Sequence, residues 1–132
     1  MNNNNSNNNN NSNNNKQLSV LQIYNKYLDL IYYTNDLVRK FPKSEKFALV
    51  NEIKVAMYGG LKSVMFAQKE FNSTARLKHL NNLDVFLNLQ KVYIRLAYRY
   101  KYISLQNYET WCSKITDICN MLGAWIKSCL TK

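Results

Sequence analysis

The feature that most constrains this chain is its shortage of turn residues. In 132 residues there are one proline, Pro42, and three glycines, Gly59, Gly60 and Gly123, and these residue types are the strongest punctuators of helices and strands. Between them apolar residues recur at three- and four-residue steps, with no strand-like alternation to compete. A chain punctuated so sparsely folds as a few long helices.

The first fifteen residues, Met1 to Asn15, are only Met, Asn and Ser. They offer no apolar surface to offset the entropy of ordering, and they lack the charged start and apolar centre of a secretory signal. Residues 1–16 are therefore expected to be a disordered Asn-rich tail, and residues 17–132 a single folded domain.

Within that domain Leu21, Tyr24, Leu28, Ile31 and Val38 predict an amphipathic helix over 18–40, ended by Pro42, which disfavours helical geometry in the residue before it. A second helix over 44–71 has Ser44 as N-cap and Glu45 against the positive end of the dipole. Its inner face is expected to hold Phe47, Val50, Met57, Leu61, Val64 and Phe71. Asn72, Ser73 and Thr74 break the chain before a third helix over 75–102, with Leu80, Leu83, Leu87, Ile94 and Ala97 in one stripe. A second stripe holds Phe86, Leu89, Tyr93, Leu96 and Tyr100. Ser104 caps a fourth helix over 105–129, whose inner face carries Tyr108, either Trp111 or Cys112, Ile115, Ile118, Leu122 and Ile126. Four helices of roughly 23 to 28 residues with short connections pack most simply as an all-α, antiparallel up-and-down four-helix bundle.

Two features inside these helices need packing to explain them. Adjacent Gly59 and Gly60 in a helix interior cost about 1 kcal/mol each relative to Ala, which points to close approach of another backbone or to a bend, with close packing preferred. The double stripe of the third helix calls for burial on more than one side, so Tyr93 and Tyr100 are candidates for a subunit interface. Asp84, set between Leu83 and Val85, calls for a buried or interfacial ion-pair partner.

Catalytic patterns are scarce. The one histidine, His79, stands beside Lys78 with no carboxylate at a neighbouring helical position, which leaves no triad or dyad to build on. Cys112 and Cys119 lie seven positions apart on one helix, too far for a disulfide or a shared metal. The acids are scattered, and no glycine-rich phosphate loop or Glu-x-x-His spacing is present. Neither enzymatic activity nor a cofactor or metal is expected. Three cysteines without a secretory signal point to reduced thiols in a cytoplasmic setting, and no apolar run approaches the ~18 residues of a membrane span.

What the sequence does carry is charge. Eighteen Lys and Arg oppose eight Asp and Glu, a net charge of +10, and the Asn run contributes none of it. Lys54, Tyr58, Lys62, Phe66 and Lys69 form a helical stripe, as do Lys91, Arg95, Tyr98, Arg99 and Tyr102. Arg76, Lys78 and His79 extend the positive surface, and Arg39, Lys40, Lys43 and Lys46 cluster around Pro42. Cations interleaved with aromatic rings suit nucleic acid, through phosphate neutralisation and base stacking, and encode no base-specific readout. The nucleic-acid-binding candidates are Lys54, Lys62, Lys69, Arg76, Lys78, Lys91, Arg95 and Arg99. An ordinary solvated face over packed tyrosines remains the alternative.

The segments Phe41-Pro42-Lys43-Ser44-Glu45-Lys46-Phe47, Arg76-Leu77-Lys78-His79-Leu80 with Leu83-Asp84, Ile94-Arg95-Leu96-Ala97 and Met121-Leu122-Gly123-Ala124-Trp125-Ile126-Lys127-Ser128, in this order, resemble the accessory variability determinant (Avd) family of diversity-generating retroelements. That family belongs to a wider group of bacterial four-helix bundles that includes proteins encoded in ribosomal RNA intervening sequences. The resemblance spans about Leu18 to Ser128. It implies a non-catalytic bundle that forms a homopentameric ring, binds template RNA and the element's reverse transcriptase, and supports mutagenic complementary DNA synthesis and retrohoming. The intervening-sequence relatives imply an alternative, a scaffold that binds protein or RNA partners without a reverse transcriptase.

Overall fold

The computed structural model describes residues 6–131. Four α-helices follow one another: α1 (Ser6–Val38), α2 (Leu49–Lys69), α3 (Ser73–Arg99) and α4 (Leu105–Leu130), with a short 3₁₀ turn at Lys43–Glu45 between the first two. They form the expected all-α, antiparallel up-and-down four-helix bundle. Each helix packs on its chain neighbours and α1 closes the ring against α4. Of the expected tail, Met1 to Asn5 lie outside the described residues. From Ser6 the backbone already follows α1, although Asn is a weak helix former, and the first buried side chain described is Ile23.

Local signals set the helix ends. The side chain of Asn72 accepts the amide of Ala75 at 3.1 Å, and that of Ser104 accepts the amide of Asn107 at 3.1 Å, so both breaks in the sequence are true N-caps. The start of α2 differs from expectation. Residues from Lys43 to Ala48 form the 3₁₀ turn and its continuation, so the helix begins at Leu49 rather than Ser44. Glu45 still serves this terminus, because one carboxylate oxygen accepts the Leu49 amide at 3.0 Å. The shift removes Phe47 from the helix, where it stands 85% exposed, and Phe71 falls beyond the other end at 92%. Neither joins the core face expected for it.

The core is one continuous cluster. The predicted α3 stripe of Leu80, Leu83, Leu87, Ile94 and Ala97 is fully buried, with Gln90 filling the gap in the repeat. On α4, Trp111 rather than Cys112 turns inward, followed by Ile115, Ile118, Leu122, Trp125 and Cys129. On α1 the expected face is met in part: Ile31 and Val38 are buried and Leu28 packs against the core, but Leu21 is exposed, and the inward line is completed by Ile23, Tyr27, Leu30, Thr34 and Leu37.

Tyr27 explains the glycine pair. Its buried hydroxyl donates to the main-chain carbonyl of Met57 at 2.6 Å and accepts from the Gln90 amide nitrogen at 3.2 Å, tying α1, α2 and α3 together. A Cβ on Gly60 would stand only 2.0 Å from that hydroxyl, and a Cβ on Gly59 would stand 2.7 Å from the ring of Phe86 on α3. Both glycines are therefore clearance for side chains of the flanking helices, so close packing accounts for the pair, with a phenol and a phenyl ring rather than another backbone as the neighbours.

Gly60→Ala is expected to lose roughly 2–4 kcal/mol, from overpacking and a disturbed buried hydrogen bond. Gly123→Ala should gain about 1 kcal/mol, because a Cβ there meets nothing within 4 Å. Urea unfolding of the two variants beside the parent checks both signs.

Candidate nucleic-acid interface

Charge is unevenly shared among the helices. Helices α2 and α3 together carry eight Lys and Arg against two acids, Glu52 and Asp84, whereas α1 and α4 carry four against four. The α1/α4 side also pairs its charges: Lys114 meets Asp29 at 2.7 Å, beside an open cleft of about 390 Å³ flanked by Lys26, Glu109 and Asp117. The other ion pair among the described residues joins Arg39 to Asp36 at 3.6 Å. The cations of α2 and α3 thus face solvent without a carboxylate partner, apart from the two engaged as follows.

Arg76 is the first exception. Its guanidinium donates to the carbonyls of Ala67 and Glu70, at 3.1 Å from Nε to each, so it closes the C-terminal end of α2. This sequence candidate acts as a brace across the α2–α3 turn. Lys91 is the second, half-buried beside the thiol of Cys119. Lys54, Lys62, Lys69, Lys78, Arg95 and Arg99 are all exposed.

The two predicted stripes do not merge. On α2, the Tyr58 hydroxyl accepts from the Asn35 amide nitrogen at 3.3 Å, which turns Lys54, Tyr58 and Lys62 toward the α1 edge. On α3, Lys91 and Arg95 lie beside Cys119 and Cys112 of α4, and Tyr98 stacks on Tyr108 with ring centroids 4.6 Å apart. One stripe therefore borders α1 and the other borders α4. Between them run the contacts that zip α2 to α3: Phe66 stacked on His79 at 5.3 Å, Phe86 over Gly59, and the Tyr93 hydroxyl donating to Glu52 at 3.4 Å. Phe66 thus belongs to this seam rather than to the stripe, and His79 is held as an aromatic partner.

The interface candidates divide as well. Tyr93 is half-buried by α2 of the same chain, and Tyr100 is 54% exposed. Asp84 is exposed and makes no ion pair among the described residues, so the intramolecular buried pair does not form. The outer ridge of α3 instead leaves Val85, Leu89 and Val92 open at four- and three-residue steps.

Burial pushes the Cys112 and Cys119 thiols up, outweighing the opposing pull of Lys91 and Arg95. No group of three or more His, Cys, Asp or Glu among the described residues is placed to hold a metal ion, and no described helix is long and apolar enough to cross a membrane.

These features define an all-α, cation-faced four-helix bundle. The family model described as bAvd-like matches residues 21–129, which is most of the chain, and the chain belongs to that family, the Avd accessory proteins of diversity-generating retroelements. Among solved structures, the fold is shared with a protein of unknown function from the S23 ribosomal protein family of Bacteroides thetaiotaomicron. That match has 18% identity and a TM-score of 0.74, and covers 83% of this chain and 98% of that one. No curated protein matches the sequence.

Raised thiol pKa values make Cys112 and Cys119 poor nucleophiles at neutral pH, since the thiolate is the reactive form. Iodoacetamide is expected to label them more slowly than free cysteine at pH 7.5, with the rate recovering in urea. Mass spectrometry of the labelled peptides reads the outcome.

Proposed function

We propose that this chain is a non-catalytic accessory subunit that holds template RNA, through the unpaired cations of α2 and α3, against the reverse transcriptase of its retroelement. The carrying observation is the charge asymmetry: eight cations against two acids on α2 and α3, all but Arg76 and Lys91 exposed and free of internal partners. Exposed cations bind phosphates by releasing condensed counterions, so affinity follows their number and falls with salt. Membership of the Avd family supports the polymerase as protein partner, and catalysis then resides in that enzyme.

Self-association belongs to the same reading. The resemblance implies a pentameric ring, and Val85, Leu89 and Val92 give α3 an apolar ridge on which copies can pack, with Tyr93, Tyr100 and Asp84 at its margins. Native mass spectrometry at micromolar concentration should find an oligomer, five copies if the family geometry holds. A monomer would remove this part of the reading.

Binding of the element's RNA should weaken steeply between low and physiological salt. It should fall further when the exposed Arg95 and Arg99 become Ala, while the helical circular dichroism is unchanged. Absent or salt-insensitive binding sinks the proposal. The resemblance to intervening-sequence proteins supplies a second reading, a bundle that scaffolds partners without a reverse transcriptase. Failure of the polymerase to co-purify, with RNA binding intact, would select it.

A further inference from the structure

The end of the bundle where α1 passes to α2 and α3 passes to α4 carries a second concentration of charge, outside both stripes. The two connections, far apart in sequence, meet there: the ring of Phe41 lies 5.3 Å from that of Tyr102, whose hydroxyl donates to Glu45 at 3.1 Å. Tyr100 continues the aromatic series, 5.7 Å from Tyr102. Lys40, Lys43 and Lys46 come from one connection and Lys101 from the other, and all four are exposed with no carboxylate partner among the described residues. The acids nearby are already engaged, Glu45 by Leu49 and Tyr102, and Asp36 by Arg39.

Two observations show that this end departs from what stability alone favours. Phe47 projects 85% exposed, with the Lys46 ammonium 5.3 Å from its ring centroid. A phenylalanine left in water gains nothing for the fold, yet it presents a flat face flanked by a cation. The second is Lys101. The α3 terminus is a Schellman motif, in which the Tyr102 amide donates to Ala97 at 2.9 Å and the Lys101 amide to Tyr98 at 3.0 Å. Its left-handed residue, usually glycine, is here a lysine with φ of 63°. A side chain placed against a backbone preference is kept where it serves a ligand.

We propose that this end of the bundle is a binding cap for single-stranded RNA, in which Lys40, Lys43, Lys46 and Lys101 contact phosphates while unpaired bases stack on Phe47 and Tyr100. The proposal rests on the RNA-binding reading above and refines it by strand state. Duplex phosphates can meet the stripes on the bundle sides, but only an unpaired strand can offer base faces to exposed rings. Arg99, the last residue of α3, joins the α4-side stripe to the cap. At the opposite end Phe71 is equally bare and Lys69 and Lys78 are exposed, but among the described residues no ammonium lies over its ring, and the neighbouring Arg76 is engaged by main-chain carbonyls.

Fluorescence anisotropy of labelled oligouridine and of an RNA duplex of equal length tests the assignment, with thermal unfolding measured in parallel. Lys101→Gly should raise the unfolding midpoint while weakening oligouridine binding several-fold, opposite signs that a merely structural lysine would not give. Phe47→Ala should leave unfolding unchanged and weaken oligouridine roughly tenfold, with duplex binding kept, as expected for a lost stacking platform. Phe71→Ala should match the parent. Parental oligouridine affinity in both Phe47→Ala and Lys101→Gly overturns the cap while leaving RNA binding by the stripes intact. So does an equal loss for single strand and duplex in Phe47→Ala. Polyglutamate bound as tightly as oligouridine, and equally dependent on Phe47 and Lys101, would reassign the cap to an acidic protein segment. A parent protein that binds neither RNA removes this proposal together with the reading beneath it.

Discussion

The hydroxyl of Tyr27 is the contact on which the rest of the bundle depends. It reaches across from α1 to a carbonyl inside α2 and is met by Gln90 from α3, in a space that exists only because residue 60 has no side chain. A typical hydrogen bond adds about 1 kcal/mol, whereas a buried hydroxyl left unmatched costs more than that. The alternatives are therefore penalised more than the native register is rewarded. Sliding α2 by one residue would set Leu61 in place of Gly60 in one direction, or Tyr58 in place of Gly59 against Phe86 in the other, and would move the Met57 carbonyl away from the phenol. Burial also holds Tyr27 neutral far above the usual tyrosine range. The core around it is otherwise greasy and permissive, so this polar junction is what makes one packing preferable to its neighbours.

The same junction orients the outer surface. Once Gly60 faces Tyr27 and Gly59 faces Phe86, the rotation of α2 is set, and Tyr58 with Lys54 and Lys62 must face the α1 edge. The rotation of α3 is set in the same way by Gln90 and Phe86, which leaves Lys91 and Arg95 toward α4. The placement of positive charge on the outside is thus a consequence of one buried contact. Neither stripe could be moved onto the other's side without breaking it.

This ordering explains what was legible in the sequence. The α3 core stripe could be read residue by residue, because Leu and Ile recur there with polar residues between them. The glycine pair announced a close approach, since helix propensity gives it no other reason to exist. On α1 the signal was ambiguous: Tyr24, Tyr27, Leu28, Leu30, Ile31, Tyr32 and Tyr33 crowd every face, and the inward tyrosine is identified only by its partners on other helices. Phe47 and Phe71 misled in the other direction. Being apolar, they extended the α2 pattern past both of its ends, and only the 3₁₀ turn and the Asn72 cap show where the helix stops. In the candidate interface the cations were visible as residues but not as a surface. Arg76 looks like any phosphate contact until its guanidinium is seen on two carbonyls, and Lys101 shares an end with Lys43 only because Tyr102 packs on Phe41.

With burial holding the Cys112 and Cys119 thiols up and the histidine stacked on a phenylalanine, the exposed cations are what this bundle offers a partner. The balance of charge on α1 and α4 gives the field of those cations a direction. Exposed cations separated by more than the roughly 8 Å Debye length at physiological salt act almost independently. The two stripes, on opposite edges of the α2/α3 layer, are therefore separate contact lines rather than one patch. A polyanion that touched both on a single copy would have to pass around the helix ends or over the seam of Phe66, His79, Phe86 and Tyr93, which is aromatic and carries Glu52. The route over the seam meets rings and a carboxylate, whereas the route around the end meets Arg99, Lys101 and Lys43 in succession. Charge arranged in this way favours a strand that turns over the end of the bundle. A stiff duplex can lie along one edge but cannot follow that path within the width of two helices.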